Sequence, residues 1–321
     1  MLLAKRIIER AKGAREEEPM GDRGIEVEFW GVRGSVPSPG GETALVGGNT
    51  SCVEIRFGEE RLILDAGTGL RLLGERLAAS KDHLARTTRI LLSHVHWDHV
   101  MGLPFFAPLY APGASIEIAT GPTGAPLREV LGRLMSSPCF PVDFTKLPSD
   151  IGCFDLGARR RFSTGPFEIT VAPLSHPDPV YAYRIDVGGR AVVYATDTEH
   201  GDEPDPRLIE LSRGADLLIY DAQYLPEEFP AKRGWGHSTY AAGADVAAAA
   251  GVRTLALFHH DPARSDEAVG CIVRRAREVF PTAVAAREGM RLQFSTQSEP
   301  FGRTTVTRSD ALSLGGAIPL V

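Results

Sequence analysis

Three histidines and an aspartate fall within six positions in HVHWDH, residues 94–99, where the apolar run RILLS ends. Imidazole nitrogens and carboxylate oxygens suit zinc, and equally manganese or iron, so the ligand types name a class of cation and not one element. On a tight strand-to-helix turn, His94 and His96 can point one way while Asp98 and His99, one turn on, face a neighbouring point. Such a segment can serve two adjacent cations. Two cations need further ligands, and matching residues recur downstream. His176 in LSHPDP and His259 in LFHHDP each follow an apolar run and precede a turn-forming proline, and Asp197 in YATDT closes another run. Ends of strands on one sheet edge converge in space, so these distant residues can complete one site. His260 competes with His259, because alternation along a strand puts the two on opposite faces. His83 and His200 lack this context and are expected to face solvent.

The surrounding pattern supplies the strands that such a site requires. Short β-rich runs at 25–30, 51–57 and 61–67 predict a meander, then a helix over 70–77, a strand at 89–94, a helix after Asp98 and a strand at 115–120. The second half repeats this grammar, with strands at 167–176, 181–187, 191–198, 216–223 and 254–260. Helices are expected over 238–251, with Ser238 as N-cap and Gly251 as stop, and over 265–280. Two successive strand-then-helix halves predict an α/β fold, two sheets face to face with helices outside: a four-layer αββα sandwich. The proline- and phenylalanine-rich stretch 136–150 is the candidate for a loop overhanging the site. One catalytic domain over 25–295 is expected, with a tail or short helix at 1–24, where Leu3, Ile7, Ile8 and Ala11 could share a face, and a loose tail at 296–321.

With 321 residues, 43% of them apolar, the chain can bury a large core. Its formal charge of −6 argues against a broad basic surface for nucleic acid. Four cysteines, Cys52, Cys139, Cys153 and Cys271, lack paired spacing and read as reduced, buried thiols. Basic residues interrupt what would have to be an apolar signal core at the start, and no later run is long enough to span a membrane, so a cytoplasmic protein without membrane contact is expected.

Through HVHWDH, His176, Asp197 and His259, the chain resembles the metallo-β-lactamase superfamily over residues 25–295. The resemblance implies that fold and two metal ions, zinc by default with manganese or iron as alternatives. It implies that His94, His96 and His176 hold one ion and Asp98, His99 and His259 the other, with Asp197 bridging them. It also favours His259 over His260. DAGTG at 65–69 matches the family as well, and there the aspartate matching Asp65 supports the ligands from behind.

Within the superfamily, GHSTYAAGADVA at 236–247 resembles the HST element of ribonuclease Z and related phosphodiesterases, in which the histidine matching His237 faces the scissile phosphate. A histidine at a helix start can donate to an anionic phosphoryl oxygen or to the leaving alkoxide. GVRGSVPSPG at 31–40 and GGNTSC at 47–52 resemble a bacterial branch grouped with ribonuclease Z and cyclic-phosphate diesterases. The expected reaction is phosphodiester hydrolysis by attack of a metal-bridging hydroxide, with Asp98 and His237 as the catalytic side chains. A small or cyclic phosphodiester, such as a nucleotide, is the expected substrate. The acidic balance and the lack of a long glycine-proline arm argue against transfer RNA. Arg159, Arg160 and Arg161 read as a solvated edge strand, and a homodimer stays open. Thioester or lactone hydrolysis on the same fold is the alternative, and a non-catalytic metal-stabilised binding protein a further one. Asp197 stands where many zinc β-lactamases have cysteine, which argues against drug hydrolysis.

Overall fold

The computed structural model describes residues 24–295 and 305–308. The N-terminal stretch carrying Leu3, Ile7, Ile8 and Ala11 lies outside the described residues. In chain order the strands are β1 Ile25–Gly31, β2 Cys52–Phe57, β3 Glu60–Leu64, β4 Thr88–Leu91, β5 Ser115–Thr120, β6 Asp150–Asp155, β7 Arg161–Thr164, β8 Phe167–Pro173, β9 Tyr181–Val187, β10 Arg190–Ala195, β11 Leu217–Asp221, β12 Thr254–Phe258, β13 Ala283–Ala285, β14 Met290–Phe294 and β15 Thr305–Arg308. They form two sheets, ordered β15-β14-β1-β2-β3-β4-β5-β6 and β13-β12-β11-β10-β9-β8-β7. β3 to β6 pair in parallel, as do β10 to β13. In each half, a parallel block thus follows a hairpin meander.

One apolar core lies between the sheets and continues under the helices of the second half. It is built from Val27, Phe29, Val53, Ile55, Leu62 and Leu64 on one sheet, Ile169, Ile185, Val192 and Ile219 on the facing side of the other, and Val193, Leu255 and Leu257 on that sheet's helix-covered side. The helix Gly69–Ser80 buries Leu70, Leu73 and Leu77 in a second core with Ile63, Ile90, Leu92, Ile116 and Ile118 on the opposite face of the first sheet. β3 and β4 are therefore apolar on both faces, which is why RLIL and RILL read as continuous runs and not as alternation. Each such side chain taken fully from water contributes roughly 1.5–3 kcal/mol. The helices Tyr240–Ala250 and Asp266–Val279 cover the second sheet, completing the αββα sandwich.

Several expectations need correction. The helix expected after Asp98 is a single turn, Trp97–Val100, followed by 3₁₀ turns, because Pro104 and Pro108 each withdraw an amide from a regular ladder. Thr239, not Ser238, caps the helix Tyr240–Ala250 by accepting from the Ala242 amide; the Ser238 hydroxyl instead pairs with Tyr220 Oη at 2.9 Å. Gly251 does stop that helix, in a left-handed conformation with φ of 66°. The C-terminal stretch expected to be loose supplies β15, paired antiparallel to β14. His83 is buried, its Nδ1 donating to the Leu77 carbonyl at 3.0 Å, and His200 stacks on Phe229 with ring centroids 3.9 Å apart. All four cysteines are free thiols, but Cys139 and Cys271 are exposed. Phe144 in the 136–150 loop is buried in the outer core, and Phe140 packs edge-on against Phe105. No helix among the described residues is long and apolar enough to cross a membrane.

Candidate metal centre

The expected site residues stand just past the carboxyl ends of strands, the edge at which open α/β sheets bind ligands. Asp65 follows β3, the HVHWDH segment follows β4, His176 follows β8, Asp197 follows β10 and His259 follows β12. The first two belong to one sheet and the other three to its partner, so the site sits on the seam between them. Local backbone geometry aims these side chains. Asp65, Asp197 and His259 have positive φ values of 61°, 53° and 57°, as does Ser35 with 61°. Left-handed backbone at a residue with a Cβ costs roughly 1–2 kcal/mol and persists where the surroundings over-determine it.

Among the groups whose potential ligand atoms lie within 4.8 Å of one another, two hold the expected ligands, His94, His96 and His176, then Asp98, His99, Asp197 and His259, and a third joins Asp197 and His259 to Asp221 and His237. His259 Nε2 lies 3.1 Å from Asp98 Oδ2 and 3.2 Å from Asp197 Oδ1, and His99 Nε2 lies at the same two distances from the same two atoms. Asp197 Oδ2 is 3.7 Å from His94 Nε2, so its two oxygens face both clusters. His260 is turned away, its Nε2 donating to the Ala286 carbonyl at 3.0 Å.

The outer nitrogen of each imidazole is held by a protein group. His99 Nδ1 donates to Asp65 at 2.7 Å, His259 Nδ1 to Gln223 Oε1 at 2.8 Å and His176 Nδ1 to the Gly236 carbonyl at 2.9 Å. His96 Nε2 donates to Asp178 at 2.8 Å. Ser93 Oγ gives its proton to Asp65 and accepts from His94 Nδ1 at 3.0 Å. These bonds fix the tautomers and leave lone pairs on the inner nitrogens. Those lone pairs meet electron-rich atoms: His176 Nε2 faces His96 Nδ1 at 3.4 Å, and the buried His94 Nε2 and His99 Nε2 have no aligned hydrogen-bond partner. Lone pairs and carboxylates crowded together in a buried space call for positive charge between them. The donor set fits two divalent cations.

The electrostatics agree. Burial holds the His94 and His176 imidazoles below their usual range, and hence neutral and ready to ligate. For Asp98 burial pushes upward, but His99 and His259 outweigh it and keep the carboxyl ionised; Asp197 behaves likewise with His259, His99 and His94. Burial opposes a charge on His99, yet Asp98, Asp197 and Asp65 together drive it toward the imidazolium. In the protein alone a proton takes the place a cation would fill, so metal uptake releases it.

Around the cluster stand Asp65 and His237, which the sequence reading named, and Asp221 and Gln223, which it left out. Asp65 is fully buried and accepts from the Ser93 amide at 2.6 Å and from Tyr194 Oη at 2.7 Å, besides His99. Asp221 accepts from His237 Nδ1 at 2.9 Å and from the Gln223 amide at 3.0 Å. His237 stacks on His259 with centroids 5.0 Å apart, and its Nδ1 is 3.9 Å from Asp197. Burial alone would lower the His237 pKa, but Asp221 prevails and raises it to about 9. Asp221 and Gln223 close DLLIYDAQ as Asp197 closes its own strand, and that shared position was the available signal. From GVRGSVPSPG, the Ser35 amide donates to Asp98 Oδ2 at 2.8 Å. Gly34 is required there, since a Cβ would lie 2.5 Å from the His259 ring. Arg159, Arg160 and Arg161 lie exposed at the outer edge of the second sheet, away from the cluster, with Arg161 opening the edge strand β7.

Known proteins resemble both the sequence and the fold. Ribonuclease Z of Synechococcus sp. (strain WH7803) is 26% identical over 335 residues, spanning 86% of this chain and 98% of that protein. The metallo-β-lactamase fold protein YhfI from Bacillus subtilis superposes with a TM-score of 0.65 at 22% identity, covering 84% of this chain and 99% of its own. Human tRNase Z, short form, gives 0.59 at 22% identity, covering 83% and 98%. The ribonuclease Z relatives overturn the expectation that transfer RNA is an unlikely partner. A whole-chain net charge averages over the surface and does not constrain a local interface. Residues 60–260 match the family model described as the Beta-lactamase superfamily domain, and with its ribonuclease Z relatives and its seam of strand-end histidines and aspartates the chain belongs to the β-lactamase superfamily.

Proposed function

We propose that this chain, a metal-dependent hydrolase of the β-lactamase superfamily, cleaves nucleotide phosphodiesters, in RNA or as small and cyclic esters. His94, His96 and His176 would hold one cation, Asp98, His99 and His259 the other, with Asp197 between them. Bound there, the pair supplies a water of lowered pKa and neutralises charge building on the phosphoryl oxygens.

The observation that carries the reading is His237: a buried imidazole kept protonated by Asp221 and stacked on His259. Water adds to phosphorus, the phosphorus–ester oxygen bond breaks, and the departing alkoxide needs a proton. His237 holds one, and Asp221 stabilises the imidazolium until transfer. A thioester releases a thiolate whose pKa lies near 8.5, and it leaves without such help. Asp98, fixed by the Ser35 amide, orients the attacking water. Likeness to ribonuclease Z favours RNA; the superfamily's cyclic-phosphate diesterases favour the smaller esters.

The test is to assay the metal-loaded protein on bis(p-nitrophenyl) phosphate, on 2′,3′- and 3′,5′-cyclic nucleotides and on RNA with a 3′ extension. His237→Ala is expected to lower kcat on alkoxide-leaving substrates by roughly 10²–10⁴. Absence of any turnover that depends on His94 and Asp98 would falsify the reading.

A further inference from the structure

The chain has three tryptophans, and they divide by environment. Trp30 is half-covered, with its indole donating to Glu54 and the Arg76 guanidinium 4.3 Å above its ring. Trp97 and Trp235 are 68% and 59% exposed. Both are anchored beside the metal centre. Trp97 lies between His96 and Asp98 in sequence, and Trp235 directly precedes Gly236, whose carbonyl accepts from His176. The His96 and His176 rings lie 5.1 Å apart, so the backbone at both tryptophans stands beside the same half of the centre.

Exposed apolar side chains scattered singly need no ligand, but these two sit on the two segments that hold His96 and His176 in place. The neighbours narrow the ligand. Asp178, paired with His96, and Arg233 and Gly234, close to Trp235 in sequence, are exposed, and the Lys232 ammonium lies over one face of the Trp235 ring, 4.1 Å from its centroid, leaving the other face for a base. Flat rings among charged groups suit a planar base attached to a phosphate, whereas an acyl chain would call for a continuous apolar slot. We propose that Trp97 and Trp235 stack the nucleobases on either side of the scissile phosphate, with Lys232 beside Trp235 meeting an adjacent phosphate. The inference rests on the phosphodiester reading and gives it a specificity: substrates carrying bases, single-stranded at the point of attack.

The experiment compares binding of a short single-stranded oligonucleotide with that of an abasic strand of equal length and charge, followed by fluorescence anisotropy on metal-loaded protein before turnover. Wild type should prefer the base-bearing strand. Trp97→Ala and Trp235→Ala should each reduce that preference about tenfold, the scale of one stacked base. Trp97→Phe and Trp235→Phe should retain most of it, which separates lost stacking from a damaged fold, and metal content checks the centre. Equal binding of the two strands by wild type, binding of neither, or a preference surviving both alanine variants overturns the proposal. Turnover of bis(p-nitrophenyl) phosphate without base preference removes the stacking rim and leaves the reaction standing. Base-dependent binding without turnover does the reverse.

Discussion

At the scale of single residues, the centre works through what each nitrogen is denied. Every inner imidazole nitrogen faces the cluster because its outer nitrogen is committed elsewhere, and that commitment was only partly legible. HVHWDH, His176, Asp197 and His259 stood out by type and position, while Asp221 and Gln223 did not, since an aspartate or glutamine closing a strand is common chemistry. Alternation could not decide between His259 and His260 either. The left-handed turn at His259 decides it, sending one ring into the seam and the next against the Ala286 carbonyl. Burial then pushes His260 down to about 3, with the Ala286 bond opposing and Arg33 adding to the drop. The unfolded chain titrates this group near 6.5, so between those values it binds more protons than the folded chain, and stability falls as pH falls through that window. Going from pH 7 to pH 5 should therefore cost about 2 kcal/mol through this residue. His260→Gln keeps an N–H donor for Ala286 and removes the titration. Urea unfolding at the two pH values should show wild type losing about 2 kcal/mol more than the variant; equal losses would show that the group does not titrate as described.

Among elements, strands were the most legible because apolar runs mark them whichever face they bury. The runs at 115–120 and 181–187 match β5 and β9 end for end. Edge and closing strands were harder to see. β7 alternates exposed and half-buried residues, and β14 interleaves Arg291 and Gln293 with its apolar positions, so neither presents a continuous apolar signal. What no pattern announces is how a loop touches a ligand residue. Gly236 has φ of 84°, and a Cβ there would lie 2.0 Å from His176 Nδ1, the atom that donates to its own carbonyl. Gly234, two residues earlier, has φ of 86° with open space around the missing Cβ. Alanine at either position meets the same backbone strain, roughly 1–2 kcal/mol. Only Gly236→Ala also displaces His176. Metal affinity, measured by competition with a chromophoric chelator, should fall roughly 10–100-fold in Gly236→Ala and stay close to wild type in Gly234→Ala. Similar losses in both would mean that strain alone acts and that the His176 bond to Gly236 is immaterial.

On the scale of the whole molecule, the two sheets share one buried polar seam. The αββα layering was legible because each half repeats strand-then-helix grammar; the charge balance misled because a sum over the whole chain does not constrain a local surface. Two divalent ions would bring the formal charge from −6 to −2. The same ions would join the halves: His94, His96, Asp98 and His99 come from the first sheet's loops, and His176, Asp197 and His259 from the second's. Without them Asp98 and Asp197, 6% and 2% exposed, stay buried beside imidazole lone pairs with only protons to balance them. Ions that bind the folded chain and not the unfolded one stabilise it by RT ln(1 + [L]/Kd), about 4 kcal/mol at a thousandfold excess over Kd. A domain of this size shifts Tm by roughly 2–4 °C per kcal/mol, so chelation should lower it on the order of 10 °C, and zinc or manganese should restore it. His94→Ala removes a ligand from one ion and should show a smaller difference between chelated and loaded protein. A melting curve indifferent to chelator in protein shown to have carried metal would place the ions outside this seam, and the pairing of the sheets would then rest on the apolar core alone.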